Sequence, residues 1–104
     1  MTREKGPQRV GDLLGGFLEK KGLREALKRV EAADEWEERV GEAIGRVTRA
    51  RGVKDETLFV EVKSSAWLME LNLMKTEILR RVNEGREEGL IEKIVFVLAE
   101  DPSK

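Results

Sequence analysis

Catalysis in this 104-residue chain would have to rest on hydroxyls, carboxylates and amines, because it holds no cysteine and no histidine. The missing residues remove thiolate nucleophiles, zinc–thiolate sites and the commonest general base. The hydroxyls are Thr2, Thr48, Thr57, Ser64, Ser65, Thr76 and Ser103, and none lies in a G-x-S-x-G or S-x-x-K context. Ser64 and Ser65 stand where a strand runs into a helix, and a helix cap explains them better than a nucleophile does. Carboxylates are plentiful around Asp34, Glu35, Glu37, Glu38 and Glu42, with Asp34, Glu38 and Glu42 stepping by four. Their spacing is not that of a calcium loop and reads as a solvated acidic helix face. No enzyme, metal or cofactor is expected.

Phosphate binding is the other chemistry these residue types allow. Gly41–Gly45 and Gly85–Gly89 are each one residue too long for a G-x-x-G loop that grips a nucleic-acid backbone, and the second is too acidic. Neither a Walker loop nor a G-x-G-x-x-G run is present. What remains is a basic stretch: residues 46–54 hold Arg46, Arg49, Arg51 and Lys54 and no acid, although the whole chain carries a net charge of only −1. With Lys63 and Lys75, these are the candidate nucleic-acid contacts, since arginine meets phosphate bidentately. Solubility, and pairing with the acidic helix before them, is the alternative use of the same charges.

These side chains need elements to hold them. Val10, Leu13, Leu14, Phe17 and Leu18 recur at helical spacing, with Lys20, Lys21 and Gly22 as a predicted stop. Leu23, Leu27 and Val30 open a second pattern. Asp34 and Glu37 have the spacing of a capping box, and Trp36, Val40, Ala43 and Ile44 share a face. Residues 23–44 therefore read as one kinked helix or two short ones. The period then changes to two over Val47–Val53 and Leu58–Val62, a hairpin about Lys54–Glu56. A third helix carries Trp67, Leu71, Met74, Ile78 and Val82, and Ile91–Leu98 is a closing strand.

The order α-α-β-β-α-β predicts an α/β (α+β) fold, a three-stranded sheet with helices on one face. Leu58, Val60, Val62, Ile94, Phe96 and Leu98 are expected to face the helices. Phe59, Val95 and Val97 then lie on the outer face, to be covered by the first helix, the N-terminal arm or a partner. Trp36 and Trp67 sit on apolar helix faces, as core residues or partial surface anchors. With Phe59, Val95 and Val97 they are the candidate partner contacts.

Length allows a single domain, expected as an arm at 1–9, a domain at 10–99 and a short tail at 100–104. Apolar residues make up 39% of the chain, as do charged ones, which supports a core rather than disorder. The longest apolar run, Ile94–Ala99, is far short of the roughly 20 residues a membrane span needs. No signal-peptide pattern opens the chain, so a cytoplasmic domain is expected.

The ordered set of motifs resembles a known family. Residues 36–48 resemble W-x-x-x-V-G-x-x-I-x-x-x-T, and residues 58–71 resemble L-x-V-x-V-x-S-S-x-W-x-x-E-L. Gly11–Leu14, Gly22-Leu23, Lys75, Ile78, Leu79, Asn83 and Ile94–Phe96 continue the likeness over residues 9–98. Together they are similar to the bacterial DciA-like family. The resemblance implies a KH-like domain without the G-x-x-G loop. It also implies a non-enzymatic role: binding the replicative DNA helicase, promoting its loading or operation, with auxiliary contact to single- or double-stranded DNA. The second helix and the hairpin are the expected helicase contacts. A KH-like RNA- or ribosome-associated protein is the alternative, and a homodimer through Phe59, Val95 and Val97 a further one. The chain departs from the family in ending at Lys104 with no basic tail, and in having Thr48-Arg49-Ala50 where Thr-x-Pro is common.

Overall fold

The computed structural model describes residues 16–100. It contains α1 (Gly16–Asp34), α2 (Trp36–Val40), α3 (Glu42–Gly45), β1 (Thr48–Lys54), β2 (Thr57–Val62), α4 (Ser65–Leu73), α5 (Lys75–Asn83) and β3 (Lys93–Leu98). The three strands form one sheet in the order β1-β2-β3, with β1 antiparallel to β2 and β2 parallel to β3. This is the expected α+β architecture. The crossover from β2 to β3 runs through α4 and α5, as a parallel pairing requires. The expected arm at 1–9, the apolar positions Val10, Leu13 and Leu14, and residues 101–104 of the expected tail lie outside the described residues.

Strand alternation decides the core. Leu58, Val60 and Val62 of β2 and Ile94 of β3 are essentially fully buried, and Phe96 nearly so, against Leu71, Ile78, Val82 and Ile91. Each such side chain contributes about 1.5–3 kcal/mol on leaving water. Leu98 departs from expectation: it pairs with Val62 at the end of the sheet and stays 49% exposed.

Three helix boundaries also differ from the sequence reading. Gly22 does not stop a helix; α1 runs through it, and Gly22 is not among the residues with positive φ, so the left-handed turn that ends a helix never forms. The Asp34–Glu37 capping box is unused. Glu35 N–H still bonds the Glu31 carbonyl at 3.0 Å and Arg39 N–H the Glu35 carbonyl at 2.9 Å, so the ladder continues through a kink and leaves little to cap. The expected single helix carrying Trp67 to Val82 breaks at Met74, whose N–H bonds back to Leu71 and Asn72 carbonyls. The Ser64 cap is present, its hydroxyl accepting from Trp67 N–H at 3.2 Å.

The loop after α5 clamps the helical layer. Asn83 donates to the Ile91 carbonyl at 2.8 Å and accepts from Ile91 N–H at 2.9 Å, closing the loop between them. Gly89 passes so close to α1 that a Cβ there would overlap Lys28 Cβ and stand 3.0 Å from the Glu25 carbonyl, and its φ of +68° also favours glycine. Arg86, with 7% of its side chain exposed, donates to the Lys28 carbonyl at 2.9 Å, the Val82 carbonyl at 3.3 Å and Glu35 at 3.0 Å. Arg39 adds a bond to the Glu84 carbonyl at 2.6 Å. On α5, hydrogen bonding from Arg80 holds the Glu77 carboxyl below the ordinary carboxylate range. What stability that pairing supplies is therefore present at neutral pH and lost as the pH falls through that range.

Candidate functional site

Among the described residues, the buried side chains of β2 and β3 pack with the helices, and register says what stands on the other face. Arg49 pairs with Glu61, Gly52 with Phe59, and Lys54 with Thr57; across β2, Thr57, Phe59 and Glu61 pair with Lys93, Val95 and Val97. The register shifts between Ala50 and Gly52, so Arg51 is the extra residue of a bulge. A bulge lets neighbouring alternate positions share a face: Arg51 Nε lies 3.5 Å from Glu61 Oε2, on the side that Arg49 also occupies. Gly52 takes up the distortion at φ +153°.

The outer face therefore carries Arg49, Arg51, Lys54 and Lys93, with Glu61 among them and a stripe of Phe59, Val95 and Val97 down the middle. Phe59 and Val95 are half-buried and Val97 is 41% exposed. Lys63 continues β2 at the open end, held by its N–H to the Val47 carbonyl at 2.9 Å. Arg49, Lys63, Glu61 and Glu100 line a depression of about 220 Å³ there. Of the candidate cations, the fold gathers Arg49, Arg51, Lys54 and Lys63. Arg46 is exposed at the end of α3, at the corner before β1, and Lys75 opens α5 in the helical layer. Lys93 was missed, although it stands two residues before Val95 and shares its alternation.

The two tryptophans have different fates. Trp36 is 3% exposed; its indole N–H donates to Thr48 Oγ1 at 2.8 Å, and that hydroxyl donates to the Ile44 carbonyl at 2.7 Å. Its ring meets Phe96 edge-on with centroids 6.4 Å apart. It is a core residue, not a surface anchor, and it ties α2 to β1. Trp67 is half-buried and lines a groove of about 430 Å³ with Ile44, Ala66, Glu70 and Met74. Met69 and Leu73 on the same helix are 69% and 84% exposed, an apolar surface the sequence reading did not single out. The helical period spreads α4's apolar residues around the helix, so no single stripe marked the exposed ones.

Among the described residues, no group of three or more acidic side chains is placed to hold a metal ion. No helix among them is long and apolar enough to cross a membrane.

Comparison with known proteins places the chain among relatives. The family model described as "Dna[CI] antecedent, DciA" matches residues 9–96. A UPF0232 protein of Corynebacterium glutamicum (strain R) is 27% identical over 99 residues, covering 95% of this chain and 56% of that protein. A UPF0232 protein of Rhodococcus jostii (strain RHA1) is 24% identical over 91 residues, covering 88% of this chain and 48% of its own length. The chain thus spans about half the length of the curated relatives it matches.

Proposed function

The chain belongs to the DciA family, and on that premise we propose that it is a non-enzymatic binding module for the bacterial replicative DNA helicase. It promotes helicase loading or operation and makes auxiliary contact with DNA. The family match over residues 9–96 carries this reading, because it spans every described element up to the middle of β3. The family is one of helicase-loader-type binding proteins. The KH-like character of the domain and its cytoplasmic location belong to the same reading.

We assign the helicase contact to the α4 groove rather than to the second helix and the hairpin, because Trp36, Val40 and Ile44 of that helix are buried in the core. Trp67 and Met74 form its wall, and Met69 and Leu73, exposed on the same helix, add apolar surface that water disfavours. Aromatic residues beside apolar grooves are the usual anchors of interfaces. Calorimetry of this chain against its own organism's helicase tests the assignment. Replacing Met69 and Leu73 together with aspartate alters only exposed positions and is expected to weaken binding at least about tenfold. Unchanged affinity would move the contact off α4. If the unaltered chain fails to bind helicase but binds RNA, the RNA- or ribosome-associated role takes its place.

DNA contact is assigned to the open sheet face. Phe59, Val95 and Val97 suit the faces of bases, and Arg49, Arg51, Lys54, Lys63 and Lys93 flank them at phosphate reach, the arrangement of single-strand platforms. Changing Arg49 and Arg51 to alanine is expected to flatten the slope of log affinity against log salt by about one to two units, since each phosphate contact contributes about 0.7 to a single-strand slope. An unchanged slope would exclude β1 as the phosphate site.

A further inference from the structure

The described part of α1 is turned the wrong way round for a surface helix. At about 100° per residue, Glu25, Lys28, Arg29 and Ala32 share one side. That side meets the protein: Ala32 is fully buried, Arg29 Nε bonds the Leu90 carbonyl at 3.0 Å, and Lys28 and Glu25 abut Gly89. Leu23, Leu27 and Val30 lie on the opposite side within an arc of about 60°. They are 60%, 55% and 49% exposed. Three large apolar residues on one helix thus point to solvent while charged ones point inward.

Their neighbours say what fits the stripe. The spacing of four then three is the seam of two packed helices. Ala26, exposed on one flank, allows close approach of a second backbone. Arg24 and Glu31, seven residues apart, occupy the other flank. If a second copy of α1 lies antiparallel, with Leu27 of each copy against Val30 of the other, Arg24 of each copy meets Glu31 of the other. The face is then complementary to itself about a two-fold axis. Among the described residues these two side chains are held by loose surface pairs, Arg24 to Glu88 at 3.3 Å and Lys28 to Glu31 at 3.8 Å. Such pairs exchange at little cost.

We propose that two copies of this chain associate antiparallel through α1, burying Leu23, Leu27 and Val30. The seam spans about 10 Å of helix, and Asp34 closes it at each end opposite Leu23 of the other copy. It is therefore smaller than the roughly 1,000 Å² that permanent dimers clear, and the dimer is a weak one.

Sedimentation equilibrium of the full chain, from about 10 μM to about 1 mM, tests this. A mass rising toward twice the monomer is expected. Leu27→Glu should raise the midpoint of association at least about tenfold. Circular dichroism should be unchanged, because the position is half exposed. Arg24→Glu and Glu31→Arg should each weaken association, and the double exchange should restore it. That rescue belongs to the antiparallel arrangement, since a parallel pair does not bring the two residues together. A mass that stays monomeric throughout would overturn the proposal, and would leave the stripe to this chain's residues 1–15 or to another protein. A dimer that persists in Leu27→Glu would overturn it as well, by placing the contact elsewhere, with the Phe59–Val95–Val97 face as the next to test.

Discussion

Replacing Trp36 with alanine is expected to cost about 3–5 kcal/mol of folding stability, the range for removing a buried indole. For a domain of this size that is a fall of more than about 10 °C in Tm. Three losses combine at one position. The ring leaves a hole between α2 and the sheet, where it is 3% exposed beside Phe96. Its N–H no longer donates to Thr48. The relay from Trp36 through Thr48 to the Ile44 carbonyl, which fixes α3 against the start of β1, loses its first member. Trp36→Phe separates these terms: it fills most of the hole but removes the donor, and is expected to cost about 1–2 kcal/mol beyond the lost volume. Urea unfolding followed by Trp67 fluorescence measures both. A cost below about 1 kcal/mol for Trp36→Ala would mean that the site collapses around the gap and that the relay is dispensable.

Arg86→Ala is expected to be nearly as damaging, at about 3 kcal/mol. Its guanidinium satisfies two carbonyls, on α1 and α5, and the Glu35 carboxylate at the kink between α1 and α2. Removing it leaves those acceptors in a site only 7% open at the arginine. Arg86→Lys should rescue little, because one ammonium cannot reproduce a planar fork directed at three acceptors. Glu35→Gln should be milder, since the carbonyls keep their donor and Glu35 is itself 37% exposed. The two changes should be non-additive in a double-mutant cycle, and simple additivity would show that Arg86 acts on the carbonyls alone.

The strands were readable because alternation needs only one buried face. Leu58, Val60 and Val62 against Phe59 and Glu61 left one register that hides the apolar set. Ser64 was readable because a capping hydroxyl acts within three residues of itself. The helical boundaries were less so. Gly22 resembles a stop, but the penalty of a glycine inside a helix is about 1 kcal/mol, less than the packing of the C-terminal half of α1 returns. Glu35 read as one member of a solvated acidic face, yet it meets Arg39 and Arg86, and Arg86 is 51 positions away. The second run of glycines, Gly85–Gly89, has the wrong spacing and charge for a phosphate loop. Its purpose is to let the chain lie against α1 at Gly89, a contact no local pattern announces. The candidate surfaces were half visible. The basic positions of β1 were evident, but their gathering on one face with Lys93 depends on the bulge and on β3 pairing parallel to β2.

That bulge also bears on how the molecule behaves when crowded with its own kind. A three-stranded sheet has two edges whose free backbone groups can template another strand. β1 is protected: its hydrogen-bonding row is interrupted at Arg51, and Arg49, Arg51 and Lys54 put charge along it. β3 has an unbroken run of Ile94, Val95, Phe96, Val97 and Leu98 with one lysine at its start. The two edges are thus unequal. Strand addition, whether by a partner's extended segment or by a misfolded neighbour, is directed to β3, and the purity of a preparation at high concentration will depend on how well that edge is shielded.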